Sequence, residues 1–148
     1  MIKTEALSFS YDGCTQTLCE INLELRDGEF LALLGANGCG KTTLLKHLNG
    51  LLKPSSGRVC LGDREIRSLK DEDIFRRVGM VFQDPNDQLF GATVAQDVAF
   101  GVVNLGLRPD EVAWRTADAL ELVGASELSD KAIHTLSFGQ KRRVAIAG

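Results

Sequence analysis

The sequence has no apolar run long enough to cross a membrane: the best, Phe30 to Leu34, is far short of the roughly 20 residues a helical span requires. Its start, Met1-Ile2-Lys3-Thr4-Glu5, lacks the apolar h-region of a secretory leader. Cysteine is sparse: Cys14, Cys19, Cys39 and Cys60 include no C-x-x-C pair, and no histidine stands at metal-ligand spacing from any of them. That pattern argues against a zinc site and leaves free thiols in a reducing compartment. Neither sign of charge dominates, because 17 Lys and Arg face 20 Asp and Glu for a net −3. No stretch gathers enough positive charge for a polyanion, so nucleic acid is excluded as a partner. The run Lys141-Arg142-Arg143 is expected to be a solvated helix face, and His47 and His134 ordinary surface or packing residues. Internal repeats and low-complexity tracts are absent. What is present, 148 residues with 44% apolar and 25% charged content, suits one domain with a core of its own.

Three short β-type runs open the chain: Thr4 to Ser8, Ile21 to Leu25 and Phe30 to Leu34, separated by the turn signals Asp12-Gly13 and Asp27-Gly28. The third is almost wholly apolar, as in a buried strand, and leads through a Gly-rich loop into Thr42 to Gly50, where Leu44, Leu45 and Leu48 share a helical face. After the turn cluster Lys53-Pro54-Ser55-Ser56-Gly57, two further strands are expected at Arg58 to Leu61 and Val78 to Phe82, flanking a short polar helix at Asp71 to Arg76. From Thr93 the periodicity becomes helical. Thr93 and Gln96 form a capping-box pair, with Val94, Val98 and Val102 recurring behind them. A second helix should run from Pro109 or Asp110 to Val123, with Val112, Thr116, Leu120 and Val123 on its apolar side and Gly124 as its stop.

The chemistry concentrates in Gly35-Ala36-Asn37-Gly38-Cys39-Gly40-Lys41-Thr42, which satisfies G-x-x-x-x-G-K-[ST] between a strand-like run and a helix. Triphosphate oxygens need several backbone N–H donors converging at short range, and Gly35, Gly38 and Gly40 are expected to allow this through unusual dihedrals and the absence of a Cβ. Lys41 then supplies a point charge to the β and γ phosphates, the Thr42 hydroxyl a ligand to Mg²⁺, and Thr43 a contact to the α phosphate. A Gly-rich turn that only caps a helix is the bland alternative. The motif by itself does not separate a transport ATPase from a GTPase or a kinase.

Further along, Leu136-Ser137-Phe138-Gly139-Gln140 followed by Lys141-Arg142-Arg143-Val144-Ala145-Ile146-Ala147 resembles the signature sequence of ABC-transporter ATPases and the helix behind it, with Phe138 where glycine is commonest. A serine hydroxyl and a glycine amide at a helix N-terminus make an anion site on physical grounds, although an ordinary Ser cap reads the same way. The stretch Gln83-Asp84-Pro85-Asn86-Asp87-Gln88-Leu89-Phe90, then Thr93-Val94 and Asp97-Val98-Ala99-Phe100-Gly101, is similar to the ATPases of energy-coupling-factor importers of cobalt, nickel or vitamins.

This resemblance implies an α/β fold: a P-loop NTPase core with an antiparallel N-terminal β subdomain and a helical insertion. The implied division is 1-83 for the core with its phosphate loop, 84-135 for the Q-loop and helical subdomain, and 136-148 for the signature and its helix. ATP and Mg²⁺ are the implied cofactors. Asn37, Gly38, Cys39, Gly40, Lys41, Thr42 and Thr43 would hold the phosphates, and Tyr11 would stack on adenine. Gln83 would sense Mg²⁺ and the attacking water. Ser137, Gly139 and Gln140 would face the γ phosphate held by a second ATPase subunit, identical or different, in a head-to-tail dimer.

The other implied partner is a transmembrane coupling subunit, which would hold the protein on the cytoplasmic face of the membrane. The patch around Leu89, Phe90 and Val94 would meet that subunit or pack the insertion's own core. The family pattern continues with the Walker B strand ending in Asp-Glu, a D-loop and a switch histidine, none of which lies within these residues; the resemblance therefore implies nucleotide binding more than turnover by this chain alone. A GTPase should carry N-K-x-D, which is not found, and a kinase would lack Leu136 to Gln140. A nucleotide-binding regulatory module without turnover is the remaining alternative.

Overall fold

The computed structural model describes residues 1–148. The chain divides into two compact units, Met1–Gly79 and Met80–Gly148. No helix is long and apolar enough to cross a membrane.

The first unit is built on strands β1 (Ile2–Ser10), β2 (Gln16–Leu25), β3 (Ser56–Leu61) and β4 (Arg64–Glu65), all paired antiparallel in the order β2-β1-β3-β4. Helices α1 (Lys41–Leu48) and α2 (Asp71–Phe75) belong to the same unit. Leu7, Val59, Leu44, Leu48 and Ile74 form its core. Each such side chain withdrawn from water contributes about 1.5–3 kcal/mol. The β1–β2 turn is an Asx turn: Asp12 Oδ1 accepts from Thr15 N at 2.7 Å, Cys14 N at 2.8 Å and the Ser10 hydroxyl at 2.9 Å. The amides of Thr15 and then Cys14 hold the Asp12 carboxyl well below the usual carboxylate range. The register of β1 slips on both sides near Ala6, whose φ is 45°. Facing this bulge, Gly57 has φ 74°, and a Cβ there would come within 2.2 Å of Ala6 O. Gly57 is thus part of β3 and not only of the turn cluster read in the sequence.

Two expected strands do not form. Phe30 to Leu34 is in no sheet; Phe30 is 102% and Leu34 91% exposed. Val78 to Phe82 likewise pairs with nothing as a strand. A strand is defined by its neighbour, and the four-stranded sheet offers neither run a partner; apolar composition alone does not satisfy backbone groups.

The second unit is helical, with α3 (Val94–Asn104), α4 (Pro109–Leu122) and α5 (Phe138–Ala147), the last two joined through short 3₁₀ turns at Ser126–Leu128 and Ile133–Thr135. Thr93 caps α3 in the expected box, its hydroxyl oxygen accepting from Gln96 N while Gln96 Oε1 accepts from Thr93 N. Proline stands at the start of α4 and Gly124, at φ 61°, ends it. Val94, Val98, Leu120, Leu128, Leu136 and Val144 share one core. The protein's sole tryptophan, Trp114, is 64% exposed on α4. Buried Asp97 lies on the apolar face of α3 and is satisfied there: its Oδ1 accepts from Phe90 N at 2.8 Å and Gly91 N at 2.6 Å.

Candidate functional site

The loop Gly35–Gly40 runs into α1, whose N-cap Gly40 has φ 96°. Gly38, at φ 82°, is the other left-handed position, and both conformations favour glycine. Gly35 serves differently. Its φ is not positive, but a Cβ there would meet Cys39 Sγ at 2.8 Å. Lys41 Nζ folds back over the loop, donating to Gly35 O and Ala36 O, both at 2.8 Å, with Cys39 Sγ 3.8 Å away. Asn37, Cys39 and Thr42 are exposed. Leu44 N donates to Gly40 O, while the amides before it in α1's first turn have no carbonyl one turn back to pair with, leaving donors for an anion.

Tyr11, the sole tyrosine, stands at this end of the same unit. Its hydroxyl is 3.2 Å from Thr43 Oγ1, and Phe9 stacks edge-on against it at 4.8 Å. Tyr11 is 64% exposed. The Thr43 side chain is buried, so its hydroxyl faces the tyrosine and only its backbone amide belongs to the loop's donors. His47 packs in the interior with Nδ1 2.7 Å from Thr43 O.

Cys39 gives a direct test of occupancy. Iodoacetamide should label exposed Cys39 faster than half-buried Cys60. MgATP at about a hundredfold over Kd should slow Cys39 labelling by about tenfold or more, because it leaves only about 1% of sites free. Mass spectrometry showing equal Cys39 labelling with and without MgATP would remove the thiol from the site.

In the second unit, Ser137 is the N-cap of α5. Its hydroxyl oxygen accepts from Gln140 N at 3.3 Å, and Gln140 Oε1 accepts from Ser137 N at 2.9 Å. The amide oxygen of Gln140 is therefore engaged in the cap, while Ser137, Phe138 and Gly139 stay exposed. Nothing lies within 4 Å of a Cβ placed on Gly139 and its φ is not positive, so the local fold does not itself require glycine there. Gln83 is exposed at the start of the segment leading to the 3₁₀ turn Pro85–Asp87.

The structure decides one open expectation and changes another. Leu89 and Val94 pack into the unit's own core, leaving Phe90, 66% exposed and edge-on to Phe100 at 4.6 Å, as the outward part of that patch. The basic run after the signature is not merely solvated: Lys141 Nζ donates to Asn86 Oδ1 at 2.7 Å, Arg142 lies over the Phe138 ring, and Arg143 donates to Gly124 O. Asp97, Asn86 and Gln88 went unassigned in the sequence. For Asp97 a signal was there: an acid among Val94 and Val98 on an apolar helix face must find donors.

Comparison with known proteins agrees with this geometry. Residues 18–148 match the ABC transporter family. The chain is 51% identical over 150 aligned positions to an energy-coupling factor transporter ATP-binding protein of Methanothermobacter thermautotrophicus, covering 100% of this chain and 48% of that protein. It is equally 51% identical to a cobalt import ATP-binding protein of Rhodobacter capsulatus, covering 100% and 54%. Among solved structures, cbiO1 from Clostridium perfringens, described as part of the ABC transporter complex cbiONQ, superposes with TM-score 0.86 at 47% identity, covering 99% of this chain and 59% of that one. A dimeric ATP-binding cassette bound to ADP and Pi in a post-hydrolysis state superposes with TM-score 0.84 at 26% identity, covering 99% and 68%. The chain thus spans about half the length of the curated relatives it matches. A family match across nearly all of the sequence, high identity over its full length and a shared fold agree: this chain belongs to the ABC transporter family.

Proposed function

We propose that this chain is the nucleotide-binding portion of an ATP-binding subunit of an energy-coupling-factor importer. The observation that carries the reading is the loop Gly35–Gly40, with its two left-handed glycines and Lys41 poised over it at the N-terminus of α1. Lys41 would leave Gly35 O and Ala36 O for phosphate oxygens, and Tyr11 would offer its exposed ring to adenine. No group of three or more His, Cys, Asp or Glu that could hold a metal ion is present. Mg²⁺ would arrive with the triphosphate, since this ion keeps several waters and takes few protein ligands; the exposed Thr42 hydroxyl would be one of them, and for Gln83, in the second unit, a Mg²⁺-sensing role is what the family resemblance implies.

Ser137 and Gly139 would meet the γ phosphate of a second subunit. Glycine at a place where the local fold does not require it supports close approach by a ligand. The exposed Phe90–Phe100 pair is the part of the surface suited to a transmembrane partner at the inner face of the membrane. Uptake of a metal ion or vitamin is the transport this would drive, as the family resemblance implies; one relative is named for cobalt import.

The test is MgATP-driven self-association, followed by sedimentation. Association should rise with MgATP, and Ser137→Ala with Gly139→Asp should reverse it by about tenfold or more, the weight of one or two charge-assisted hydrogen bonds. Nucleotide-independent sedimentation would count against the dimeric reading.

A further inference from the structure

Resting on that reading, we infer that Gln88 is a positioning residue that ties α5, the helix opened by the signature, to the segment carrying Gln83, so that the signature and the Gln83 segment of this unit shift as one.

Both ends of the Gln88 amide are used. Its Oε1 accepts from Phe82 N at 2.9 Å, one residue before Gln83, and its Nε2 donates to Ala145 O at 2.8 Å. A second tether runs in parallel, from Lys141 Nζ to Asn86 Oδ1 at 2.7 Å. Lys141 and Ala145 are four residues apart, so the two tethers meet the same face of α5, one turn from each other.

The segment is rigid enough to transmit this. Asp84 caps its 3₁₀ turn by accepting from Asn86 N and Asn86 Nδ2, and the Asp97 carboxylate fixes the far end at Phe90 N and Gly91 N. A glutamine is suited to the work because its side-chain amide donates from one end and accepts at the other without carrying charge into a half-buried position. Neither tether touches the places assigned to phosphate. Their effect has to pass through the orientation of Ser137 and Gly139.

Gln88→Glu separates the two roles, keeping an acceptor for Phe82 N while placing an oxygen against Ala145 O. Gln88→Met removes both bonds at similar volume. Three readouts are needed: MgATP affinity at low protein concentration, MgATP-driven self-association, and hydrogen exchange of the 137–141 amides. Gln88→Glu should leave MgATP affinity within about twofold, accelerate exchange at 137–141 by about tenfold and weaken self-association by about tenfold, the worth of one hydrogen bond. Lys141→Met in the Gln88→Glu background should add less than it does alone, since both substitutions release one face.

Exchange and self-association unchanged in Gln88→Glu would overturn the inference. So would a loss of MgATP affinity as large as the loss of self-association, which marks general unfolding. If Gln88→Glu is poorly folded, Gln88→Met and Lys141→Met are held to the same pattern. No MgATP binding by the unsubstituted protein would overturn the nucleotide reading itself, and this inference with it.

Discussion

Lys41→Ala should abolish most of the stabilisation that MgATP gives the protein. A ligand at about a hundredfold over its Kd adds about 2.7 kcal/mol to the folded state, and calorimetry or a thermal shift reads this directly. The lysine is expected to dominate because it is the one cation that the loop itself contributes, already held over Gly35 O and Ala36 O at 2.8 Å. Without nucleotide the substitution should cost little, about 1 kcal/mol or less, since both bonds are at an exposed surface. The contrast between the two conditions is the diagnostic. An MgATP shift equal in Lys41→Ala and the unsubstituted protein would refute the role given to this side chain.

Gly57→Ala should be among the most damaging single substitutions in the first unit, lowering stability by about 3 kcal/mol or more. Two terms add: a left-handed conformation that costs a residue with a Cβ about 1–2 kcal/mol, and a steric clash. The clash is with backbone, at 2.2 Å from Ala6 O and 2.5 Å from Glu5 O, and cannot be relieved by rotating a side chain. Gly62→Ala is the matched control, left-handed at φ 63° with nothing within 4 Å of the new Cβ. It should cost about 1 kcal/mol. Thermal melts should therefore separate the pair by several degrees, roughly 2–4 °C for each kcal/mol at this chain length. Equal melting temperatures would show that the β1–β3 bulge yields easily. Its yielding would also disturb Tyr11, which follows directly on β1.

The parts of this protein that were legible in its sequence are those governed by local rules. Of the three loop glycines expected to take unusual dihedrals, Gly38 and Gly40 are left-handed and Gly35 is not; the pair Thr93 with Gln96 announced a helix start with both bonds of its box formed, whereas Ser137, readable only as a cap, forms a box with Gln140 that went unread. Gly124 announced a helix end. What stayed hidden depends on partners far along the chain. Phe30 to Leu34 has the composition of a buried strand, yet pairing decides a strand, and Leu34 stands 91% exposed. Val144 is wholly buried in the core of its own unit, whereas Ile146 two residues on is 62% exposed, a difference set by packing partners. The tethers from Asn86 and Gln88 to α5 span 55 and 57 residues, a separation no periodicity encodes. The candidate site was read as a set of types, and only the fold showed that the Thr43 hydroxyl faces Tyr11 rather than the loop.

The division into Met1–Gly79 and Met80–Gly148 also gives the protein a built-in pair of optical labels, because the sole tyrosine lies in the first unit and the sole tryptophan in the second. Tyrosine absorbance and tryptophan emission are spectrally separable, so each unit can be followed through a denaturant titration without adding a dye. Trp114, 64% exposed on α4, reports on its surroundings in the second unit, whereas Tyr11 would report on the purine proposed to stack on its ring. Nucleotide binding and the unfolding of either unit therefore leave different signatures in the same cuvette.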